Sequence, residues 1–267
     1  MEIRLDGTNA MRDARKITTE TDRQKGRRDY AYVNSTLDTT DEFGDWVEGS
    51  FFNTFHKTIE EYDSLQEYIE NILKEKKGEA VGIEFGGLGI NLFKSFTPGF
   101  FKQSIGVSLS DYRTEDGSLA GASCKEYKDS RKHDIIIGNI FDKDIYEKIN
   151  KIIENKKVDF IIERMYGGLD NVPENYLIVM AILQKWYGML NQGGVMFVEM
   201  PPFTIRVIQD WVALLQKSTY KNELDVQFDE FRNALRIKKI SNTLKQLPKL
   251  KLQEIKKAYN IKSKTYE

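Results

Sequence analysis

The sequence feature that most constrains the fold is a change of hydrophobic period after residue 79. From there, short apolar runs alternate with longer amphipathic stretches. Runs that are apolar on both faces are typical of strands in a parallel sheet, and the stretches between them are typical of helices that cover it. The pattern predicts strands at 80–85, 103–109, 133–138, 158–162 and 194–199. It also predicts helices at 142–155, 174–190 and 203–216, the second of which ends at the turn NQGG.

The end of this region changes character. Two further extended segments, 224–229 and 234–240, are separated by only a few residues, which suits an antiparallel hairpin. The predicted fold class is therefore α/β: a doubly wound, mainly parallel sheet of about seven strands, ending in an antiparallel hairpin and carrying helices on both faces. A dinucleotide-binding dehydrogenase differs, because its sheet is parallel throughout.

The segments that flank the sheet region are different from it. Between residues 41 and 76, apolar residues recur at helical intervals and predict two helices with a break near Asp63 and Ser64. The preceding polar segment, residues 10–50, is predicted to be a lid; a tail without a role is the alternative. From Lys245 onward, a short amphipathic helix with a solvated lysine face is predicted, and nucleic-acid contact is the other interpretation. The predicted division is 1–78 for the extension, 79–242 for the core and 243–267 for the basic tail.

Composition excludes several classes of protein. With 40 Lys and Arg against 41 Asp and Glu, the formal net charge is −1, so the chain as a whole has no field that attracts nucleic acid or an anionic membrane. The single Cys124 excludes an internal disulfide, and with no secretory pattern at the start a reducing, cytoplasmic setting is predicted. No apolar run approaches the roughly 20 residues that span a bilayer, so no membrane partner is expected. Cys124, His56 and His133 have no metal-ligand spacing, so no metal site is predicted.

The motif with chemical content is VGIEFGGLGINLF, residues 81–93. A loop that bends from a strand into a helix presents backbone N–H groups, and glycines let a ligand approach that backbone closely. Gly86, Gly87 and Gly89 fit this purpose. Glu84 can pair with an ammonium group, which a phosphate-binding loop has no reason to offer. The pattern therefore indicates a ligand that is amino-acid-like at one end.

With this loop, the chain resembles the class I (Rossmann-like) S-adenosylmethionine-dependent methyltransferases over roughly residues 80 to 240. Their first motif is a strand, an acidic residue and spaced glycines. The segments SIGVSLSD (104–111), IIIGNIFD (135–142), VDFIIERMYGG (158–168) and MLNQGGVMFVEMPP (189–202) resemble the next four strands of that family, in order. The resemblance implies S-adenosylmethionine as cofactor and a methyl acceptor of unknown class as substrate.

The resemblance also implies a set of cofactor-binding residues. Leu88 stands where a central glycine is usual, and Ser108 where an acidic residue usually holds the two ribose hydroxyls. A serine cannot accept hydrogen bonds from both ribose hydroxyls as a carboxylate does. Either Asp111 therefore takes over that role, or the affinity for the cofactor is reduced. Asn139 would lie near the adenine amino group, or else be a turn residue that caps the helix beginning near Asp142. The full implied set is Glu84, Phe85, Gly86, Gly87, Gly89, Ser108, Leu109, Asp111, Asn139, Ile140 and Phe141.

The catalytic residues are expected at the ends of the fourth and fifth strands. Nucleobase amino-methyltransferases carry (D/N)-P-P-(Y/F/W) after the fourth strand, where this chain has ERMYGG, and Cys124 lies outside the site that cytosine C5 chemistry needs. Both reactions are disfavoured. Arg164 would hold an anionic substrate, Glu163 or Glu199 would act as base, and Tyr166 would wall the pocket. The alternative is that Glu163 and Arg164 pair with nearby helices.

Three functions compete at this point. The leading one is methyl transfer from S-adenosylmethionine to an unidentified, polar acceptor. The second is a catalytically inactive methyltransferase-like scaffold that contacts RNA, which the replaced ribose residue and the lysine-rich tail permit. The third, a nicotinamide-dependent oxidoreductase, fits less well because the loop lacks G-x-G-x-x-G.

Overall fold

The computed structural model describes residues 48–108, 132–164, 168–169 and 176–248. The predicted lid, residues 10–50, lies outside this part except for residues 48–50, which begin the first helix. The tail beyond residue 248 lies outside it too, as do Leu109, Asp111 and Tyr166. The predicted division into an extension, a core and a tail stays a prediction.

A seven-stranded sheet organises the described part of the chain, in the order β3-β2-β1-β4-β5-β7-β6. Strands β1 to β5 pair in parallel, and β7 runs antiparallel to both of its neighbours. This confirms the predicted fold class. The strands are β1 Ala80–Phe85, β2 Phe101–Ser108, β3 His133–Ile137, β4 Val158–Glu163, β5 Leu190–Glu199, β6 Leu224–Asp229 and β7 Ala234–Lys239.

One boundary was wrong. The NQGG segment, predicted as a turn, belongs to the irregular start of β5. Leu190 already pairs with Val158, and the register shifts before Phe160. Gly193 absorbs that irregularity with a φ of +80°, a conformation that glycine adopts without strain.

The helices match the predicted pattern but have fewer residues than predicted, and the one predicted at 203–216 ends one residue later, at Lys217. Ser64 begins the second of them by accepting a hydrogen bond from the Glu67 N–H at 3.0 Å, which explains the break predicted at this position. Residues 245–248 are not helical, so the helix predicted from Lys245 does not begin there. The helices are α1 Glu48–Phe55, α2 Leu65–Ile72, α3 Ile90–Lys94, α4 Lys143–Ile152, α5 Tyr176–Met189 and α6 Ile205–Lys217, with 3₁₀ turns at His56–Thr58, Lys74–Lys76, Pro202–Thr204 and Thr219–Asn222.

Two hydrophobic cores cover the two faces of the sheet. On one face, Phe85 stacks on Trp186 of α5, with ring centroids 4.5 Å apart. On the other face, α1, α2 and α3 cover the sheet with an aromatic cluster that includes Phe93 and Phe160. Burial on both faces explains why the strands read as continuous apolar runs. Within the described residues, no helix has the length and hydrophobicity that a membrane crossing requires.

Candidate functional site

The candidate site lies where the strand order reverses. From β1, the chain adds β2 and β3 on one side of the sheet and then β4 and β5 on the other. In open α/β sheets, ligands bind at such a switch point, outside the carboxyl ends of the strands. The glycine loop follows β1 at this place, and Arg164 follows the neighbouring strand β4, whose Glu163 pairs with Phe85.

A buried ion pair joins the two strand ends. Glu84 has no exposed surface and Arg164 is 4% exposed. The Arg164 Nε lies 3.7 Å from Glu84 Oε1 and donates a hydrogen bond of 2.7 Å to the Gly86 carbonyl. Arg164 therefore offsets the charge of the predicted ammonium-binding carboxylate and holds the glycine loop against β4.

The glycines of the site make room for the chain's own carboxylates. A Cβ on Gly87 would lie 1.8 Å from Glu84 Oε1, and a Cβ on Gly168 would lie 2.1 Å from Glu163 Oε1. Gly86 has a φ of +91°, which L side chains rarely adopt. Gly86 is thus required by the backbone path, and Gly87 by the close approach of Glu84.

Glu163 connects three segments at the carboxyl edge. Its Oε1 accepts a hydrogen bond of 2.7 Å from the Leu169 N–H, and its Oε2 accepts one of 3.1 Å from the Glu199 N–H. The side chain is fully buried. Both carboxylate oxygens accept hydrogen bonds from backbone N–H groups, one of which, that of Glu199, belongs to a strand and not to a helix. Its assignment as a general base stays a prediction.

His133 was missed by sequence reasoning as a residue of this site. It begins β3, is fully buried, and bridges to the glycine loop: its Nε2 lies 2.8 Å from the Leu88 carbonyl oxygen, and its Nδ1 lies 2.8 Å from Ser104 Oγ. Because a carbonyl only accepts, Nε2 carries a proton and donates it in a hydrogen bond to the Leu88 carbonyl. The signal available in the sequence was a lone polar residue at the start of an apolar run.

The loop after β3 is held by local hydrogen bonds. Asn139 Oδ1 accepts from the Phe141 N–H at 3.0 Å, which closes a turn. The N-terminal cap of α4 is Asp142, so Asn139 is a turn residue but does not cap that helix. Ile140 and Phe141 are buried in the core, and Ser108 is buried at the end of β2. The structure thus brings Ser108 and Asn139 to the same edge as the glycine loop, and their contacts with a cofactor stay predictions.

A buried tyrosine holds the backbone of the loop that follows β3. Tyr146 donates a hydrogen bond of 2.9 Å to the Ile140 carbonyl and accepts one of 3.2 Å from Trp186 Nε1. Burial raises the pKa of Tyr146, although the Trp186 hydrogen bond opposes this. The hydroxyl therefore stays neutral and positions the backbone. No group of three or more His, Cys, Asp or Glu side chains in the described ranges is arranged to hold a metal ion.

The strand order identifies the fold. Five parallel strands with β1 at the centre are followed by an antiparallel β7 that lies between β5 and β6. This is the doubly wound, mainly parallel α/β sheet with an antiparallel hairpin at its end that the sequence pattern predicts. No protein-family model matches the sequence, and no curated protein matches it either.

Several solved methyltransferase structures resemble this fold at low identity. The MycE methyltransferase of the mycinamycin biosynthetic pathway, in complex with Mg and SAH, is 13% identical with a TM-score of 0.42; the match covers 72% of this chain and 51%, about half, of that one. The N-methyltransferase NodS of Bradyrhizobium japonicum is 12% identical with a TM-score of 0.39, covering 66% of this chain and 94% of NodS. CalS11, a TDP-rhamnose 3′-O-methyltransferase of calicheamicin biosynthesis, is 11% identical with a TM-score of 0.40, covering 82% and 95%.

Proposed function

We propose that the chain is an S-adenosylmethionine-dependent methyltransferase that binds its cofactor at the switch point, over the carboxyl ends of β1 and β4. The observation that carries this proposal is the acidic residue followed by a glycine loop at that point of a sheet ending in an antiparallel hairpin. A nicotinamide-dependent oxidoreductase is disfavoured by the same sheet, because dinucleotide-binding dehydrogenases lack the antiparallel strand.

The residues at the site fit the two ends of this cofactor. Glu84 supplies negative charge beside the loop, which suits the ammonium group of the methionine end, and Arg164 stays held to the loop by the Gly86 carbonyl. Asn139 Oδ1 accepts one backbone hydrogen bond, so a second lone pair is available for the adenine amino group. Ser108 and Asp111 are the proposed ribose partners. The cofactor, when bound, supplies an electrophilic methyl group on a sulfonium.

The chain's own part in methyl transfer is to orient the acceptor and to take up a proton where the nucleophile is weak. Glu163 is poorly suited as the base, because taking a proton would break one of its two backbone hydrogen bonds. Glu199, at the end of β5, is only half-buried and lies at the same edge. We therefore favour Glu199 as the base, with Arg164 and Tyr166 as the residues that shape the acceptor side.

Calorimetric titration with S-adenosylhomocysteine tests the cofactor site. Saturable binding is expected for the wild type, and Glu84→Gln should weaken it by roughly tenfold, the scale for a hydrogen bond to a charged group. Glu79→Gln is the matched control, because Glu79 is exposed in the turn that precedes the same strand, at the end opposite to the glycine loop. Absence of heat in the wild type would rule out the cofactor site and leave the scaffold alternative, while heat with NAD alone would favour the oxidoreductase.

The ribose contact has its own test. Asp111→Asn is expected to weaken binding of S-adenosylhomocysteine more than Ser108→Ala does, because a carboxylate can accept from both ribose hydroxyls. Equal or reversed effects in the same titration would assign the contact to the serine.

A further inference from the structure

A second candidate site lies at the tip of the β6–β7 hairpin. A groove of about 370 Å³, here called the hairpin-tip groove, is lined by Lys57, Glu60, Gln209 and residues 228–231. Because β6 runs parallel to β5, this groove opens at the same edge of the sheet as the glycine loop. Four strand spacings separate β6 from β1 in the sheet order, which places the groove roughly 19 Å away. It is therefore a site apart from the switch point.

Asp229 gives the hairpin-tip groove a buried charge. The residue is 7% exposed, and its Oδ1 accepts a hydrogen bond of 3.0 Å from the Phe231 N–H. Its Oδ2 is also buried but accepts no hydrogen bond from the residues that the structure describes. A buried carboxylate oxygen without a donor is costly to maintain. The arrangement indicates that the donor comes from a ligand.

The charge of the groove specifies the sign of that ligand. Glu60, Asp229 and Glu230 contribute three carboxylates and Lys57 one ammonium, which leaves a net formal charge of −2. The Glu230 carboxylate also accepts a hydrogen bond from the Gln209 side chain, which fixes its position. A doubly charged cation would balance this lining.

The exposed ring of Phe231 indicates that the cation bound in the groove is an alkyl ammonium. Its ring is 82% exposed, and the Lys57 Nζ lies 5.4 Å from the ring centroid. This is the geometry of a cation–π contact between an alkyl ammonium and an aromatic face. Lys57 thus occupies the ring as a ligand ammonium would, and as an exposed side chain it can leave without disturbing the core.

We infer that the hairpin-tip groove binds an aliphatic diamine or polyamine. One ammonium group donates to Asp229 Oδ2 and a second lies between Glu60 and Glu230, while the ligand chain covers the Phe231 ring in place of Lys57. Because Oδ2 is shielded from solvent, the groove opens when the ligand binds, and the exposed Lys57 side chain moves away from the Phe231 ring. This inference does not rest on the proposed methyl transfer, since it involves none of the residues at the switch point.

The first test is calorimetric titration of the full chain with 1,4-diaminobutane at low salt, with 1,4-butanediol as the neutral comparator. Saturable binding is expected for the diamine and none for the diol. Asp229→Asn keeps an oxygen that accepts from the Phe231 N–H but removes the charge, so affinity should fall by about tenfold or more. Asp144→Asn makes the same charge change at an exposed position of α4 and should leave affinity unchanged.

The second test uses the displaced lysine. Lys57→Met should strengthen diamine binding several-fold, whereas Lys148→Met, the same charge change at an exposed position of α4, should not. Phe231→Leu should weaken binding by about threefold, the scale of an exposed cation–π contact. A wild type without saturable heat, or equal effects of the two Asp→Asn variants or of the two Lys→Met variants, would overturn the inference. Titration of Asp229→Asn with S-adenosylhomocysteine tests the cofactor site separately and is expected to match the wild type.

Discussion

Replacing Glu163 with glutamine should destabilise the chain, because both oxygens of this buried carboxylate hold backbone N–H groups of other segments. The side chain joins the end of β4 to Leu169 at 2.7 Å and to the end of β5, at Glu199, at 3.1 Å. A glutamine has the same shape but only one accepting oxygen. Whichever way its amide is placed, an NH₂ group faces one of the two N–H donors.

The magnitude follows from these two contacts. A hydrogen bond to a charged group contributes about 1.5–3 kcal/mol, and a neutral one about 1 kcal/mol. Glu163→Gln loses one bond and turns the other from charged to neutral, so the free energy of unfolding should fall by about 3 kcal/mol. For a chain of this size, that corresponds to a fall in melting temperature of roughly 6–12 °C.

Urea unfolding and calorimetric melting of Glu163→Gln measure this loss, with Glu61→Gln as the control at an exposed position. The slope of the urea transition should stay unchanged, because the extent of unfolding is the same. If Glu163→Gln unfolds at the wild-type urea concentration and temperature, the carboxylate does not hold the loop. Loss of methyl transfer without loss of stability would instead favour the role of general base.

Three further perturbations follow from the buried contacts. Glu84→Ala should lower the free energy of unfolding by about 3–5 kcal/mol, because Arg164 stays buried without its carboxylate; wild-type stability in urea would contradict the ion pair. Burial raises the pKa of Glu70, but hydrogen bonds, among them two from Thr97, outweigh it and hold the pKa below its usual value. This stabilisation is present above the unfolded-state pKa of about 4.3 and is lost as the pH falls through the lower folded-state pKa. Glu70→Gln should therefore flatten the acid side of a plot of unfolding free energy against pH. A plot parallel to that of the wild type would refute this. His133→Phe should weaken binding of S-adenosylhomocysteine and lower stability by about 2 kcal/mol, because the hydrogen bond between His133 and the Leu88 carbonyl is lost. Calorimetry and urea unfolding measure the two effects, and unchanged values for both would exclude the bridge.

The central strands were predictable because they are buried along their whole length and mostly apolar. All six residues of β1 and of β4 are buried, which gives the continuous runs seen in the sequence. The start of β5 was not predictable, because a pair of glycines normally indicates a turn. Only the pairing of Leu190 with Val158 reveals that the strand begins there. The helix predicted from Lys245 does not begin there, because this segment packs against the folded chain. Leu247 is buried, and the Pro248 carbonyl accepts a hydrogen bond of 3.0 Å from Trp211 Nε1.

The position of the candidate site was predictable, but its internal contacts were not. The acidic residue and glycines after β1 locate the loop from sequence alone. The pairing of Glu84 with Arg164 depends on β4 lying beside β1, and the bridge from His133 to Leu88 depends on the position of β3 in the sheet. Both contacts join distant parts of the chain, so no local spacing encodes them.

The way Gly87 and Gly168 accommodate carboxylates has an evolutionary consequence. Each glycine shares its space with one acid, Glu84 or Glu163, so neither position of a pair can change freely while its partner stays the same. Alanine at Gly87 would displace the Glu84 carboxylate, and a shorter residue at Glu84 would restore the room. The two pairs are expected to drift together in diverging relatives, and a library that randomises both members should recover functional combinations that no single substitution reaches.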